Sequence, residues 1–516
     1  MNKKKLMILL LTSVFAISAA GCGSNNGNSA SKNNESAKPS SSAQTGSTTP
    51  GTIDFDEEPY TIKVNFAVLG EEQPDLPKIE AAMNEITLKE INAKVDLEGV
   101  SLYNMANVYA MKASSQEKMD LMLLFPGYQY LSGFAGNKMI RPIDDELQEW
   151  GPEILKTTGE IMVSGQFNGK TYGIPQRQLS LKDAGGFMLT KSILDKNNID
   201  ISQVKTLDDM DAIFTAVHEK EPSMTVLAPE VSAGSIAEQL MWLDGLGDRY
   251  GAIDPKTGKI INRYESEAWI NTIKKVREWY QKGYISKDVS TSQDDGATLM
   301  NNGKVFAVSS SSVGFAGGST QPIEKKSIRV VDPVLSTGDT QLIMWAVATS
   351  SKRPDKAIQL LNLLDSNKEL TTLLRYGIKG EHYEVNQDGT IDTAKSTNYL
   401  NPWLMFGNVD LLPLSQSDVE SAGLTSEQYI IKQKEWNADI KKSPGYGFMF
   451  DPSAVKTEIA ALDAVSDQYV KVLGNGAVDP GKINQKYNDA MKAAGLQKVI
   501  DEKQRQYDEW IATQGK

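Results

Sequence analysis

Residues 60–68 read YTIKVNFAV, and residues 120–125 read DLMLLF; both patterns are typical of β-strands, the second apolar almost throughout. Between them lie an amphipathic helix around 79–91, a second strand at 94–97 and a further helix at 104–115. A strand that is apolar on both faces is expected in a parallel sheet covered from both sides. The order strand, helix, strand, helix, strand therefore predicts a doubly wound α/β domain.

The rest of the chain continues this alternation, without an evident internal repeat. Further strands are predicted at 171–175, 186–189, 303–308, 329–331 and 344–348. A helix is predicted where Trp269, Ile273, Val276 and Tyr280 share one face, and Trp279 on the same helix is expected in the core. The chain turns helical from Pro354, and its last third is mostly helical, ending with a helix at 484–513.

Composition and charge exclude several classes of function. The 516 residues include 54 basic and 66 acidic side chains, and removal of residues 1–21 with their three lysines leaves 51 − 66 = −15. A protein of this charge has no positive field to attract nucleic acid, so no nucleic-acid partner is expected. A single cysteine and two histidines leave no disulfide framework and few routes to histidine catalysis or thiolate zinc binding.

The single cysteine, Cys22, follows three lysines at positions 3–5 and an apolar run at 6–20. That order resembles a bacterial lipoprotein signal, although Ala19 stands where leucine is usual. The apolar run is about 15 residues, shorter than the roughly 20 that a membrane-spanning helix needs. We predict a signal peptide at 1–21, lipid (palmitate) attachment at Cys22, and a disordered linker rich in Ser, Asn, Thr and Gly at 22–58. The alternative is a secreted protein that keeps its cysteine.

Several phrases along the chain, in order, carry a resemblance to one family. They are the Pro126-Gly127 turn after the strand at 120–125, IRPIDD at 140–145, GKTYGIP at 169–175, WYQKGYISKD at 279–288, GKVFA at 303–307 and SKRPDKA at 351–357. This order resembles the extracellular solute-binding proteins of ABC importers, family 1, which carry sugars and oligosaccharides. YGIKGEHY at 376–383 and WLMFGN at 403–408 are similar to phrases of the longer LplA-type lipoprotein subgroup.

The resemblance implies an α/β, two-lobe, periplasmic-binding-protein-like (type II) fold with a ligand cleft between the lobes and a helical C-terminal extension. It places an N-lobe at 59–172 plus 330–400, and a C-lobe at 173–329 plus 401–516. It also implies hinge closure on the ligand and docking onto a membrane permease. We therefore expect a monomer, lipid-anchored at the extracellular face of the cell membrane of a Gram-positive-type bacterium, with carbohydrate transport as its function.

A sugar site needs flat aromatic platforms and a few polar groups that bind hydroxyls. Aromatic residues in loops beside chain breakers are the candidate platforms, and polar residues after predicted strands are the candidate hydroxyl ligands. The candidate substrate-binding residues are Glu71, Tyr128, Gln176, Arg177, Trp242, Trp345, Tyr376 and Trp403. No catalytic residue, cofactor or metal ligand is predicted. His382 is expected to order the loop at 377–380.

Two other patterns have simpler interpretations. Glu384, Asn386 and Asp388 precede Gly389 as in a calcium loop, but Lys395 stands where a bidentate glutamate is required, so a β-turn is the better interpretation. The sequence offers no convergent pair of an acid and a base, which favours a binding protein over a surface polysaccharide-degrading enzyme. A peptide-binding lipoprotein of the same fold, and a purely structural lipoprotein, remain alternatives.

Overall fold

The computed structural model describes residues 51–68, 73–125, 127–177, 182–320, 322–394, 396, 398–399, 407–438 and 440–514. Cys22 and the predicted signal and linker, up to residue 50, therefore lie outside the described residues. Within those ranges, none of the helices combines the length and apolarity needed to cross a bilayer.

The first sheet has five strands, and its first three strands are parallel. In spatial order the strands are Ala93–Ser101, Tyr60–Val68, Leu121–Leu124, Met344–Val347 and Gly173–Pro175. The helices Leu76–Ile91 and Met105–Ser114 connect the parallel strands, as the sequence predicted for a doubly wound domain. The last two strands run antiparallel to their neighbours.

The core of the first sheet is mostly apolar. All four residues of Leu121–Leu124 are wholly buried, and so is the facing strand Met344–Val347. Asp120, also wholly buried, accepts hydrogen bonds from the Tyr60 hydroxyl at 2.9 Å and from the Ser351 hydroxyl at 2.5 Å. A buried carboxylate with several donors is stable, so Asp120 ties the start of its strand to both neighbouring segments.

The second sheet also has five strands, most of them antiparallel. In spatial order they are Gly318–Ser319, Lys325–Arg329, Ala184–Thr190, Val305–Val313 and Thr225–Pro229. The predicted strand at 329–331 is shifted: the strand ends at Arg329, and Val330 and Val331 both donate their amides to the Gly185 carbonyl at 3.0 Å. The strand Gly173–Pro175 belongs to the first sheet, although the first segment of the N-lobe was predicted to end at residue 172. The lobe boundaries themselves stay a prediction.

A separate hydrophobic core surrounds the second sheet. Trp269 and Trp279 are wholly buried there, as predicted, on the helix Glu267–Gln281. Each indole N–H finds an acceptor, Asn484 for Trp269 at 2.9 Å and Asp211 for Trp279 at 2.6 Å. Large aromatic side chains are stable inside a core when such a polar edge is satisfied.

Helices make up most of the remaining structure, including the predicted helical C-terminal part. The other α-helices are Gly127–Gly136, Asp144–Trp150, Pro152–Thr158, Lys191–Lys196, Met210–Lys220, Ile236–Gln239, Gly296–Asn301, Thr337–Thr340, Pro354–Ser366, Lys368–Tyr376, Gln416–Ala422, Ser426–Ala438, Lys456–Gly474, Pro480–Ala493 and Leu496–Thr513. The predicted last helix is two helices, because Gly495 takes a φ of 100° that ends the first of them.

Short strand pairs complete the fold. They are Gln166–Phe167 with Lys170–Thr171, Ala252–Ile253 with Ile260–Ile261, Val334–Leu335 with Lys441–Lys442, and Glu384–Val385 with Ile391–Asp392. The last pair closes around Gly389, whose amide donates to the Asn386 carbonyl at 3.0 Å. The β-turn that the sequence predicts at this glycine is therefore present.

Candidate functional site

A cavity of about 890 Å³ draws its wall from segments attached to both sheets. Ser311 and Ser312 belong to the second sheet, whereas residues 336–342 lead into the strand Met344–Val347 of the first sheet. The rest of the wall comes from residues 182–183, 244–249, 263, 315, 375–376, 409–418 and 429. A concave site of this volume is in the range that accommodates small organic ligands.

Three aromatic rings on this wall form what we call the aromatic patch, Phe315, Tyr376 and Tyr429. The ring centroids of Phe315 and Tyr429 lie 4.9 Å apart in an edge-to-face arrangement. The Tyr376 hydroxyl donates to the Pro413 carbonyl at 3.1 Å, and the Arg375 guanidinium lies 4.9 Å from the centre of the Tyr376 ring. Burial raises the pKa of Tyr429 to about 12, so its hydroxyl is neutral and can donate at physiological pH.

Residues 244–249, which we call the polar loop, supply carboxylates to the same wall. Asp244 is 5% exposed; its Oδ1 accepts the Leu246 amide at 2.8 Å, its Oδ2 is buried, and the Ser443 side chain lies close enough to stabilise the ionised carboxyl. Asp248 Oδ1 accepts the Tyr250 amide at 2.6 Å, and its Oδ2 is buried without a hydrogen-bond partner among the residues described. Burial raises the pKa of both carboxyls. Both aspartates thus lie on the cavity wall, each with one oxygen enclosed by the protein.

Charges on the cavity wall are close to balanced. The wall carries five aspartates (183, 244, 248, 339 and 418) and four basic residues (Lys182, Arg249, Arg263 and Arg375). Lys182 pairs with Asp339 at 2.7 Å, and Arg249 pairs with Glu238 at 3.0 Å. Because the charges nearly cancel and two of the four basic residues already have carboxylate partners, the wall favours an uncharged ligand with many hydroxyls over an acidic ligand.

The structure brings one predicted site residue, Tyr376, directly to the cavity wall. Trp242 lines a smaller neighbouring cavity of about 150 Å³, which shares Lys182, Asp183, Arg263 and Ser311 with the larger one. Arg177 forms an ion pair with Asp410, next to Val409 of the wall. Gln176 is buried, and its backbone amide donates to the Ile343 carbonyl at 2.9 Å.

The expectation for Trp345 needs correction. This side chain is 1% exposed and lies in the first core, on a strand paired on both sides, rather than on the cavity wall. Glu71 and Trp403 lie outside the described residues, and so does the side chain of Tyr128, whose backbone is in the helix Gly127–Gly136. These three stay predictions.

Sequence reasoning missed Phe315, Tyr429, Asp244 and Asp248. The phrase Asp-Gly-Leu-Gly-Asp at 244–248 carries a signal that could have been used, since two glycines between two aspartates mark a tight polar turn. No comparable local signal distinguishes Phe315 or Tyr429, which meet through long-range packing.

Among the described residues, one group of side chains of the types that bind metals lies away from the cavity, and a lysine side chain already pairs with its carboxylates. Asp75, Glu381 and His382 have ligand atoms close together, but the Lys78 ammonium pairs with Asp75 at 3.0 Å and also with Glu381. His382 Nδ1 accepts the Ile378 amide at 3.0 Å, and its Nε2 lies 3.3 Å from Asp75. His382 thus orders the 377–380 loop, as the sequence predicted.

Comparison with known proteins identifies the family. Residues 87–377, more than half of the chain, match the family described as bacterial extracellular solute-binding protein. The chain therefore belongs to that family. Residues 444–512 match a second family, described as a domain of unknown function.

Individual relatives support this assignment. A protein of Streptococcus pneumoniae serotype 4 (strain ATCC BAA-334 / TIGR4), named carbohydrate ABC transporter substrate-binding protein, is 25% identical over 464 residues, or 86% of this chain and 90% of the relative. The crystal structure of the N-glycan transport solute binding protein from Streptococcus pneumoniae matches with a TM-score of 0.75 and 23% identity, over 88% of this chain and 100% of that one.

The same Streptococcus pneumoniae protein in complex with Man5GlcNAc matches with a TM-score of 0.62 and 23% identity, over 88% of this chain and 99% of that one. These likenesses show the fold. The predicted two-lobe solute-binding-protein fold is therefore confirmed, and the predicted family is confirmed by the match over residues 87–377.

Proposed function

We propose that this protein is the lipid-anchored substrate-binding protein of an ABC importer and captures a neutral oligosaccharide in the 890 Å³ cavity. The observation that carries the proposal is the meeting of an aromatic patch with a polar loop on one cavity wall, in a member of the solute-binding family. Sugar rings present apolar faces and hydroxyl edges, so they need both kinds of surface at once.

The polar loop and the aromatic patch divide the recognition between them. Phe315, Tyr376 and Tyr429 offer ring faces and edges against which pyranose rings can pack. Asp244 and Asp248 line the cavity, and their carboxyl groups would accept from sugar hydroxyls. The relatives named for carbohydrate and N-glycan transport support the same ligand class.

Delivery would follow from closure of two lobes, which we propose at 59–172 plus 330–400 and at 173–329 plus 401–516. A ligand that contacts the wall segments of both sheets gains its full set of contacts only in the closed form, so binding shifts the population toward closure. The permease would then recognise the closed, loaded protein. The role of the solute-binding protein itself would be binding rather than catalysis.

The Cys22 anchor would keep the protein near its permease. A tether through the linker at 22–58 raises the effective concentration of the binding domain at the membrane surface. Replacement Cys22→Ser is expected to release the protein into the medium and to abolish labelling by a palmitate analogue. Retention of labelled protein at the membrane after this change would contradict the anchor.

One screen separates the candidate functions. Thermal-shift and calorimetric titrations of the full chain with Man5GlcNAc, a panel of neutral and acidic oligosaccharides, and short peptides are expected to give stabilisation by neutral sugars. A peptide hit without a sugar hit would favour the peptide-binding alternative. Cleavage products in the sugar incubations would favour the polysaccharide-degrading alternative, and no stabilisation by any ligand would favour a structural lipoprotein.

A further inference from the structure

Lys503, on the helix Leu496–Thr513, is a wholly buried cation directly behind the polar loop. Its ammonium group donates to the carbonyls of Gly245 at 2.8 Å, Tyr250 at 2.7 Å and Gly251 at 3.0 Å, and to Asp248 Oδ1 at 3.0 Å. The side chain is 0% exposed. Three N–H groups therefore serve four oxygen atoms, all of them from one short stretch of chain.

The stretch that Lys503 holds has an unfavourable backbone. Leu246 has a φ of 57°, in the left-handed region that a branched side chain rarely occupies, and Gly247 and Gly251 have φ values of 107° and 78°. Such a conformation persists only where the surroundings over-determine it. The contacts to residues on both sides of Leu246 and Gly247 provide that constraint, because they fix the carbonyls of residues 245, 250 and 251.

Other residues of the same C-terminal region support the polar loop. Gly445 packs so closely on Leu246 that an added Cβ would lie 2.2 Å from Leu246 Cδ2. Tyr507, one helical turn after Lys503, donates its hydroxyl to the Pro444 carbonyl at 3.1 Å and so holds the chain that leads into Gly445. Residues 444–512, matched by a domain family of unknown function, thus form the layer behind part of the cavity wall.

We infer that Lys503 is a positioning residue for the ligand site: it is a buried lysine, supplied by the C-terminal domain, that holds residues 245–251 in the conformation that forms this part of the cavity wall. This inference rests on the proposed function for the identity of the ligand, but its geometric part does not. It assigns the domain at 444–512 a role in binding rather than in folding alone.

A second buried lysine provides a matched control. Lys356, on the helix Pro354–Ser366, is 1% exposed, donates to the Ile91 carbonyl at 2.8 Å and lies 3.2 Å from Glu57. It belongs to the first core and has no atom on the cavity wall. Lys503→Met and Lys356→Met therefore each remove one buried lysine, but of the two only Lys503 lies behind the ligand site.

The test combines hydrogen exchange of the ligand-free full chain with titration of Man5GlcNAc. In Lys503→Met, the amides of Leu246, Asp248 and Tyr250 are expected to exchange at least about tenfold faster, and the Kd is expected to rise at least about tenfold. In Lys356→Met the melting temperature should also fall, but exchange at these three amides and the Kd should stay within about twofold of the unmodified protein.

The outcomes separate this inference from the proposed function. If Man5GlcNAc does not bind the unmodified protein, the exchange measurement still decides the role of Lys503, since it needs no ligand. Should Lys503→Met fail to fold, Lys503→Gln, which keeps two N–H donors, is tested in its place. Unchanged exchange in the polar loop, or an equal change in the Lys356→Met control, would overturn the inference.

Discussion

The aromatic patch and the polar loop face the same cavity but are held in place by different means. Phe315 and Tyr429 are fixed by direct ring contact, and Tyr376 by burial and one hydrogen bond to a backbone carbonyl. The polar loop includes a residue with positive φ, Leu246, and is held from behind by a buried ammonium group. Apolar recognition surfaces therefore come with ordinary packing, whereas buried acceptor oxygens need dedicated support.

The largest expected effect comes from Asp244→Asn in the polar loop. A hydrogen bond contributes roughly 0.5–3 kcal/mol, with the larger values for a charged partner, so the affinity for a neutral oligosaccharide should fall by up to roughly 100-fold. At a pH above the raised pKa of Asp244, the free energy of unfolding should instead rise, because the change removes a charged carboxylate that burial disfavours. Calorimetry and chemical denaturation measure the two quantities.

Asp254→Asn is the matched control for this change. Asp254 Oδ1 accepts the Lys256 amide at 3.0 Å, the same two-residue turn contact that Asp244 makes with Leu246, but Asp254 is absent from the cavity wall. The Asp254→Asn variant should bind the oligosaccharide with the affinity of the unmodified protein. Equal losses in the two variants would mean that Asp244 acts only through the turn.

A smaller effect is expected from Tyr429→Leu in the aromatic patch. The change keeps an apolar side chain but removes the ring, and an aromatic contact is worth about 0.5–1.5 kcal/mol, so affinity should fall about two- to tenfold. Tyr429→Phe keeps the ring and should bind within about twofold of the unmodified protein. If the phenylalanine variant lost as much as the leucine variant, the hydroxyl rather than the ring face would be the group that binds.

The two regions should also differ in their response to pH. Burial raises the pKa of Asp244 above its usual 3.8, with Asp339 acting in the same direction and Lys503 opposing it. Its contribution to the free energy of unfolding is thus full below pH 3.8 and is lost as pH rises through the raised pKa. Affinity should change in the opposite sense, falling as pH drops through that pKa, because the ionised acceptor is lost.

A pH titration series that spans the raised pKa of Asp244 measures this, with Asp244→Asn as its reference. The variant should show a flatter affinity profile than the unmodified protein. Identical profiles would contradict a role for the ionised Asp244 carboxylate.

The smallest effect on binding is expected far from the cavity, at Glu57. Hydrogen bonds from Arg353 and Lys356 lower the pKa of Glu57 to about 2. The stabilisation from this pairing is therefore full above pH 4.5 and is lost as pH falls toward 2, the reverse of Asp244. Glu57→Gln should reduce the loss of stability in that window and leave the Kd unchanged. A changed Kd would show that the first core influences the cavity more than the contacts suggest.

Periodicity predicted the parts of the fold whose signal is local. The strands at 60–68 and 120–125 and the helix around Trp269 were recognisable because burial follows a period of two or a continuous apolar run in strands and 3.6 in helices. Tyr376 was recognisable because a glycine follows it directly at the end of a helix.

The same reasoning failed where the environment depends on distant partners. Trp345 stands near a glycine, but its strand is apolar throughout and pairs on both sides, which makes it a core residue. Phe315 and Tyr429 become neighbours only through tertiary packing, and the Lys503 contact joins residues 252–258 positions apart. A lysine in a helical sequence reads as a solvated residue, and no local pattern marks it as buried.

The central claim is that one neutral oligosaccharide contacts the aromatic patch and the polar loop together, and a crystal structure of the full chain with Man5GlcNAc tests it most directly. We predict a sugar ring packed against Tyr376 or Tyr429, and a sugar hydroxyl within hydrogen-bond distance of the Asp244 carboxyl group. Sugar bound at another surface, with the cavity of Asp244 and Tyr376 left without it, would contradict the account.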